Sequence, residues 1–233
     1  SYQADLFVVV AFGQILPQKL LDLAPSINVH ASLLPKYRGA APIQRSLMDG
    51  VSETGVSVQK MVKQLDAGDV IAEVKVKVPI DMTFGELQTA LCEAAKPLLV
   101  SVIRLFQKGI PPASPQDNSG VSFAPKIETA ECEIDWTKSA EAIHNKVRAL
   151  SPRPGAWCWA TMEGAKKRVK IIRTKIVLEN GAPLSFNKAK ALIYCGSQAI
   201  ELLEIQPEGK KPMLAADWLR GLKADPIFQA AVQ

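Results

Sequence analysis

The sequence predicts an α/β chain of two modules: a doubly wound, mostly parallel sheet over residues 1–110, and a small antiparallel β-barrel over 130–233, joined by a linker at 111–129. Three observations carry this. Strands alternate with helices in the first half, which argues for a layered parallel sheet. The run Ile110-Pro111-Pro112-Ala113-Ser114-Pro115-Gln116-Asp117-Asn118-Ser119-Gly120 is rich in turn formers. Beyond it, short strand patterns recur between Gly, Asn and Pro turns, as in small barrels.

The first module opens on Leu6–Phe12, an apolar run that reads as a buried strand, and Gly13 ends it. Gln18–Leu23 reads as a short helix behind Pro17, Ile27–His30 as a strand, Pro42–Met48 as a helix closed by Gly50, and Gly55–Met61 as a further strand. Val70, Ala72, Val74, Val76 and Val78 alternate with Ile71, Glu73, Lys75 and Lys77, which marks a half-exposed strand near a sheet edge. Thr83 followed three residues later by Glu86 has capping-box spacing and opens a helix. Pro97 is expected to break or restart that helix, which then runs through Leu98–Phe106. Buried parallel strands need neighbours on both sides. A chain that starts at Ser1 and enters such a strand almost at once is therefore expected to lack earlier strands. In the second module Ser139–Leu150 is an amphipathic helix, followed by strands at Ala156–Met162, Arg168–Val177, Ala191–Cys195 and Ala199–Ile205.

Composition removes several classes. No apolar run reaches the ~18 residues a membrane span requires, and no secretory pattern opens the chain. Cys92, Cys132, Cys158 and Cys195 lie too far apart for a zinc site or a dense disulfide framework, so reduced thiols in a cytosol-like compartment are expected. The net charge of +5 is lopsided: residues 1–129 hold 12 basic and 12 acidic residues, whereas 130–233 hold 16 and 11. A basic module beside a neutral one fits a polyanionic partner, nucleic acid first, although a solvated lysine-rich face gives the same count.

Asn28 and His30 stand two apart in a strand, so both side chains share a face. At the C-terminal end of a parallel strand that face meets a ligand cleft. Asn supplies a neutral donor, and His titrates near neutrality. Leu65-Asp66-Ala67-Gly68-Asp69 is a tight loop whose Asp66 can orient His30 and favour its protonated form. The plain alternative makes Asn28 and Asp66 turn residues and His30 a satisfied core residue. His144, the second histidine, reads as a surface or packing residue.

Ile27-Asn28-Val29-His30-Ala31-Ser32-Leu33-Leu34-Pro35, then Arg38-Gly39-Ala40-Ala41-Pro42-Ile43-Gln44 and the Asp66–Asp69 loop, resemble the core of the folate-dependent formyltransferases. The resemblance implies that Asn28, His30 and Asp66 are the catalytic trio. It makes Ser32, Leu33, Leu34 and Pro35 a wall of the tetrahydrofolate site, with Phe12, Gly13, Ile15 and Leu16 lining the pterin pocket. It also makes the first module a formyl-transfer domain lacking its first strands, with the activity of the chain as it stands in doubt. Such an enzyme moves a formyl group from 10-formyltetrahydrofolate to an amine and needs no metal. Asn28 and His30 would donate to the tetrahedral oxyanion while Asp66 holds His30.

Several enzymes share that core, so the acceptor has to come from the second module. Glu133-Ile134-Asp135-Trp136, Leu150-Ser151-Pro152-Arg153-Pro154-Gly155-Ala156-Trp157 and Pro207-Glu208-Gly209-Lys210-Lys211-Pro212-Met213 resemble the C-terminal, OB-like domain of methionyl-tRNA formyltransferases. The acceptor implied is methionyl-tRNA, giving formylmethionyl-tRNA for translation initiation. The implied setting is a monomer, without membrane, in bacterial cytoplasm or an organellar matrix or stroma. The densest basic cluster is Lys166–Lys175, where alternation sets Lys166, Arg168 and Lys170 in one stripe for tRNA phosphates. The competing readings are a formyltransferase for an amino sugar nucleotide and a non-catalytic tRNA-binding relative.

Overall fold

The computed structural model describes residues 3–14 and 16–231. It divides into two compact units: residues 1–46, 51–79 and 86–126 form unit 1, and 47–50, 80–85 and 127–233 form unit 2.

Unit 1 is built on a four-stranded sheet in the order β1 (Phe7–Val10), β2 (Ser26–His30), β3 (Glu53–Lys60), β4 (Val70–Lys77). The sheet is mixed rather than mostly parallel: β1 and β2 run parallel, while β2–β3 and β3–β4 are antiparallel. For β3 and β4 the reason lies in the connection. A parallel crossover needs a dozen or more residues to return the chain to the same end. The link from β3 to β4 is only the loop 61–69, so the chain turns straight back. Helix α1 is a short turn at Gln18–Leu21 with no buried residue, and α2 covers Pro42–Met48.

β3 is buried from Thr54 to Gln59, as befits a central strand. β4 forms an edge and keeps Glu73, Lys75 and Lys77 exposed. Helix α3 runs unbroken from Phe84 to Phe106 with Pro97 inside it. Proline removes one helical hydrogen bond. Here Leu87, Leu91 and Val102 are buried before and after it, and Ser101 Oγ donates to Pro97 O at 2.9 Å. Packing along both halves outweighs the lost bond. Val102 joins Ile27 and Val58 in the core beneath the sheet. The residues read as linker also fold onto this unit: Ser114 exchanges backbone hydrogen bonds with Val70 at 2.8 and 2.9 Å, and Ala124 N donates to Arg38 O at 2.7 Å.

Unit 2 carries an antiparallel sheet of seven strands in the order β11 (Ile227–Phe228), β5 (Ala156–Met162), β6 (Ala165–Val177), β9 (Ala199–Pro207), β8 (Leu192–Tyr194), β7 (Phe186–Asn187), with β10 (Met213–Leu214) on β9. The two ends of this path meet through side chains, since Phe186 and Phe228 lie 5.3 Å apart centre to centre. The sheet therefore curls into a nearly closed barrel. Helix α4 (Ala140–Leu150), capped by Ser139 Oγ accepting from Ala142 N at 3.2 Å, lays Ile143, Val147 and Leu150 into the same core. Helix α5 (Ala215–Arg220) adds Trp218 and Leu219. The cysteines are all free; Cys132, Cys158 and Cys195 are buried, and burial pushes the Cys195 thiol up to about 11. No helix among the described residues is long and apolar enough to cross a membrane, and none of their His, Cys, Asp and Glu side chains cluster to hold a metal.

His144 is a buried member of α4. Its Nε2–H donates to Ile80 O at 3.0 Å, and Nδ1 accepts from Thr174 Oγ1 at 2.9 Å. Burial lowers its pKa below the ordinary 6.5, opposed by the bond to Ile80 and by Asp81. A base with a lowered folded pKa binds fewer protons folded than unfolded. Its contribution to stability is full above the unfolded value and drains away as pH falls through the folded one. The melting temperature of unit 2 should therefore decline from about pH 6.5 downward. His144→Asn should flatten that decline; equal slopes for the two proteins would assign it to other groups.

Candidate active site

β2 sets Asn28 and His30 on one face, and the antiparallel register with β3 places Gln59 opposite Asn28 and Ser57 opposite His30. Four polar side chains thus share one patch of sheet. A fifth arrives from the β3–β4 loop. Asp66 sits there in the left-handed region at φ +48, a conformation that Asp tolerates better than most residues. The loop is drawn tight at Gly68, where any Cβ would collide with Lys60 O.

The Asp66 carboxylate is almost fully used. Its Oδ1 accepts from Asn28 Nδ2 at 3.3 Å and from Gln59 Nε2 at 3.0 Å. Its Oδ2 accepts from the backbone N–H of Gly39 at 2.9 Å and lies 3.7 Å from His30 Nδ1. That last distance is too long for a hydrogen bond but close for an ion pair. His30 Nε2 is 2.8 Å from Tyr37 O. A carbonyl only accepts, so Nε2 carries a hydrogen and Nδ1 is the ring nitrogen that faces Asp66. Asn28 keeps a second amide hydrogen beyond the one given to Asp66, and it is half-buried where His30 is buried. The arrangement offers a donor, a proton acceptor and a carboxylate around one point, which is what acyl transfer to an amine requires.

Two residues with no sequence signal complete the frame. Gln116, in the turn-rich run after α3, donates from Nε2 to Asp66 O at 2.9 Å and to Gly68 O at 2.7 Å. Its Oε1 accepts from buried Arg38 at Nε (3.0 Å) and Nη2 (2.7 Å). Gln59 is the other. Gln116 sits 48 and 50 residues from the carbonyls it holds, so no local pattern could reveal it.

The structure treats the expected folate-site residues unevenly. Ser32 is fully buried, with Oγ donating to Lys36 O at 2.6 Å. Leu34 is buried and its N–H donates to Ser57 Oγ at 3.0 Å, while Leu33 and Pro35 are half-exposed in the same loop. Phe12 is 53% exposed and Gly13 lies at φ +67 in an exposed turn. Leu16 is partly buried, and Ile15 lies outside the described residues. Because Val10 pairs with Val29, this turn leaves the sheet at the same end as His30. In unit 2, Lys166 and Arg168 are exposed and Lys170 half-buried on β6, where Lys170 Nζ donates to Pro154 O at 2.9 Å.

Comparison with known proteins identifies the family of the chain. Residues 1–103 match the formyl transferase family, and residues 126–223 match the formyl transferase C-terminal domain. The methionyl-tRNA formyltransferase of Protochlamydia amoebophila is 48% identical over 233 residues, covering 97% of this chain and 73% of that protein. In fold the chain is similar to HypX from Aquifex aeolicus, solved with tetrahydrofolic acid (TM-score 0.71, 20% identity, 96% of this chain and 40% of that one). It is also similar to an N-formyltransferase from Helicobacter canadensis, solved with folinic acid and dTDP-3-aminofucose (TM-score 0.66, 20% identity, 82% and 71%). With both domains matched and nearly half the residues shared along the length of the chain, the protein belongs to the methionyl-tRNA formyltransferase family.

Proposed function

We propose that Asn28, His30 and Asp66 carry formyl transfer from 10-formyltetrahydrofolate to the amino group of methionyl-tRNA. The convergence of Asn28, Gln59 and Gly39 on one carboxylate, with His30 beside it, is the observation that supports this reading. The amine attacks the formyl carbon, the new C–N bond forms, and the carbonyl electron pair moves to oxygen. The free amide hydrogen of Asn28 donates to that oxyanion. The proton leaving the amine goes to Nδ1 of His30, and Asp66 stabilises the resulting imidazolium. His30 Nε2–H is held by Tyr37 O, so any hydrogen this ring gives the oxyanion comes from Nδ1. Collapse of the intermediate breaks the bond to the folate nitrogen, which takes back from His30 Nδ1 the proton that the amine gave up.

The folate would lie along the Ser32–Pro35 loop and the turn around Phe12, Gly13 and Leu16. The barrel of unit 2, read as OB-like, would meet the tRNA through Lys166, Arg168 and Lys170. Its likeness to sugar N-formyltransferases at 20% identity bears on fold alone, so methionyl-tRNA remains the acceptor.

Rates of formyl transfer to methionyl-tRNA by otherwise identical proteins test the assignment. Asn28→Ala should lower kcat by about 100-fold or more, the scale for one lost oxyanion donor. His30→Ala should lower it at least comparably, and a rate equal to wild type would remove the catalytic reading. Gln116→Ala leaves the reacting groups in place but frees the Asp66 loop. It should lower kcat by roughly 10-fold or more, since small misplacements are costly in acyl transfer, and lower the melting temperature too, because buried Arg38 loses its acceptor. An unchanged kcat would show that the loop holds itself.

A further inference from the structure

The outward face of β5 and β6 is built from tryptophan and cations. Ala156, Cys158, Ala160 and Met162 turn into the core, so Trp157, Trp159 and Thr161 turn out. The register sets Trp157 beside Lys170, Trp159 beside Arg168 and Thr161 beside Lys166. Each cation leans diagonally rather than straight across. Lys166 Nζ lies 4.8 Å from the centre of the Trp159 ring, and Arg168 Cζ lies 5.7 Å from that of Trp157. The two indoles meet edge to face at 5.8 Å. The result is a ladder in which each ring supports one positive side chain.

Trp157 is partly buried against the margin of the barrel core, whereas Trp159 takes no part in that packing, and the buried residues of β5 lie on its other face. Neither Lys166 nor Arg168 has a carboxylate in ion-pair reach among the described residues; Glu208 lies nearby but accepts the backbone N–H of Arg168 at 3.3 Å. Two unneutralised cations on aromatic supports suit a polyanion. A long basic side chain loses rotamer freedom when a phosphate fixes it. A ring beneath it has already removed part of that freedom, so less is lost on binding.

We propose that Trp157 and Trp159 are positioning residues for the phosphodiester backbone of tRNA, acting through Arg168 and Lys166 rather than by touching the RNA. The inference rests on the reading that this strand face meets tRNA.

A double-mutant cycle on the full chain tests it, with tRNA affinity measured across a series of salt concentrations. Lys166→Ala should weaken binding and lower the salt slope by about one, the loss of a single phosphate contact. Trp159→Leu should weaken binding about three- to five-fold while leaving the slope and kcat unchanged, with Trp159→Phe restoring part of the loss. In the Lys166→Ala background Trp159→Leu should have no further effect. A loss that persists in that background would overturn the proposal, because a ring that stacks on a base or merely supports the fold acts without the lysine. If Lys166→Ala and Arg168→Ala leave both affinity and slope unchanged, the strand face does not meet tRNA. That result marks failure of the underlying reading, separate from failure of the cycle.

Discussion

The carboxylate of Asp66 is the point where the separate segments of unit 1 are tied together. Through it β2, β3, the segment around Gly39 and the β3–β4 loop share one acceptor. A charged acceptor makes stronger hydrogen bonds than a neutral one, and a buried one is costly to leave unfilled. The loop must therefore stay folded back on the sheet, with Asp66 at positive φ and Gly68 against Lys60. Gln116 holds the same loop by its carbonyls and passes the constraint on to Arg38. Asn28 and the loop are tied through this one anchored side chain, and Tyr37 O holds His30 beside it.

Period-two geometry is a local property, and what it governs could be read directly. Asn28 and His30 on one face, the exposed charges of β4, and the buried stripe Ile143, Val147, Leu150 of α4 all follow from spacing. Asp66 could be singled out because a tight loop and a family resemblance coincide there. Gln59 was hidden because its role depends on the β2–β3 register, which pairing sets and spacing does not. Gln116 was hidden more deeply, in a turn-rich run that resembles a free linker until its contacts are known. Pro97 misleads for a related reason. Its local cost is real, yet the buried residues on both sides of it are tertiary facts.

The barrel shows the same division. Its long strands declare themselves by alternation and by the turns between them. β7, β10 and β11 have two residues each, too few for any periodicity. Two of these short strands nevertheless close the sheet, because Phe186 and Phe228 bring its ends together. Trp136 and Trp218 pack edge-on against Phe228, so one aromatic cluster joins the strand ends to the core. Aromatic rings do here what ladder hydrogen bonds do in a fully closed barrel.

Charge is handled differently around Asp66 and on the outer face of β5–β6. In unit 1 the polar groups near Asp66 spend their hydrogen bonds on one another. Tyr37 O fixes the tautomer of His30, so the ring cannot flip without giving up that bond. Groups fixed before a substrate arrives need not reorganise as charge develops, which is where electrostatic stabilisation is most effective. On the outer face of β5–β6 the cations are left without carboxylate partners and rest on rings instead. An aromatic face steadies a cation and leaves its charge available, as the proposed phosphate contact requires, whereas a carboxylate would compete for it. Side chains are thus held in place by hydrogen bonds around Asp66 and by aromatic rings beneath Lys166 and Arg168.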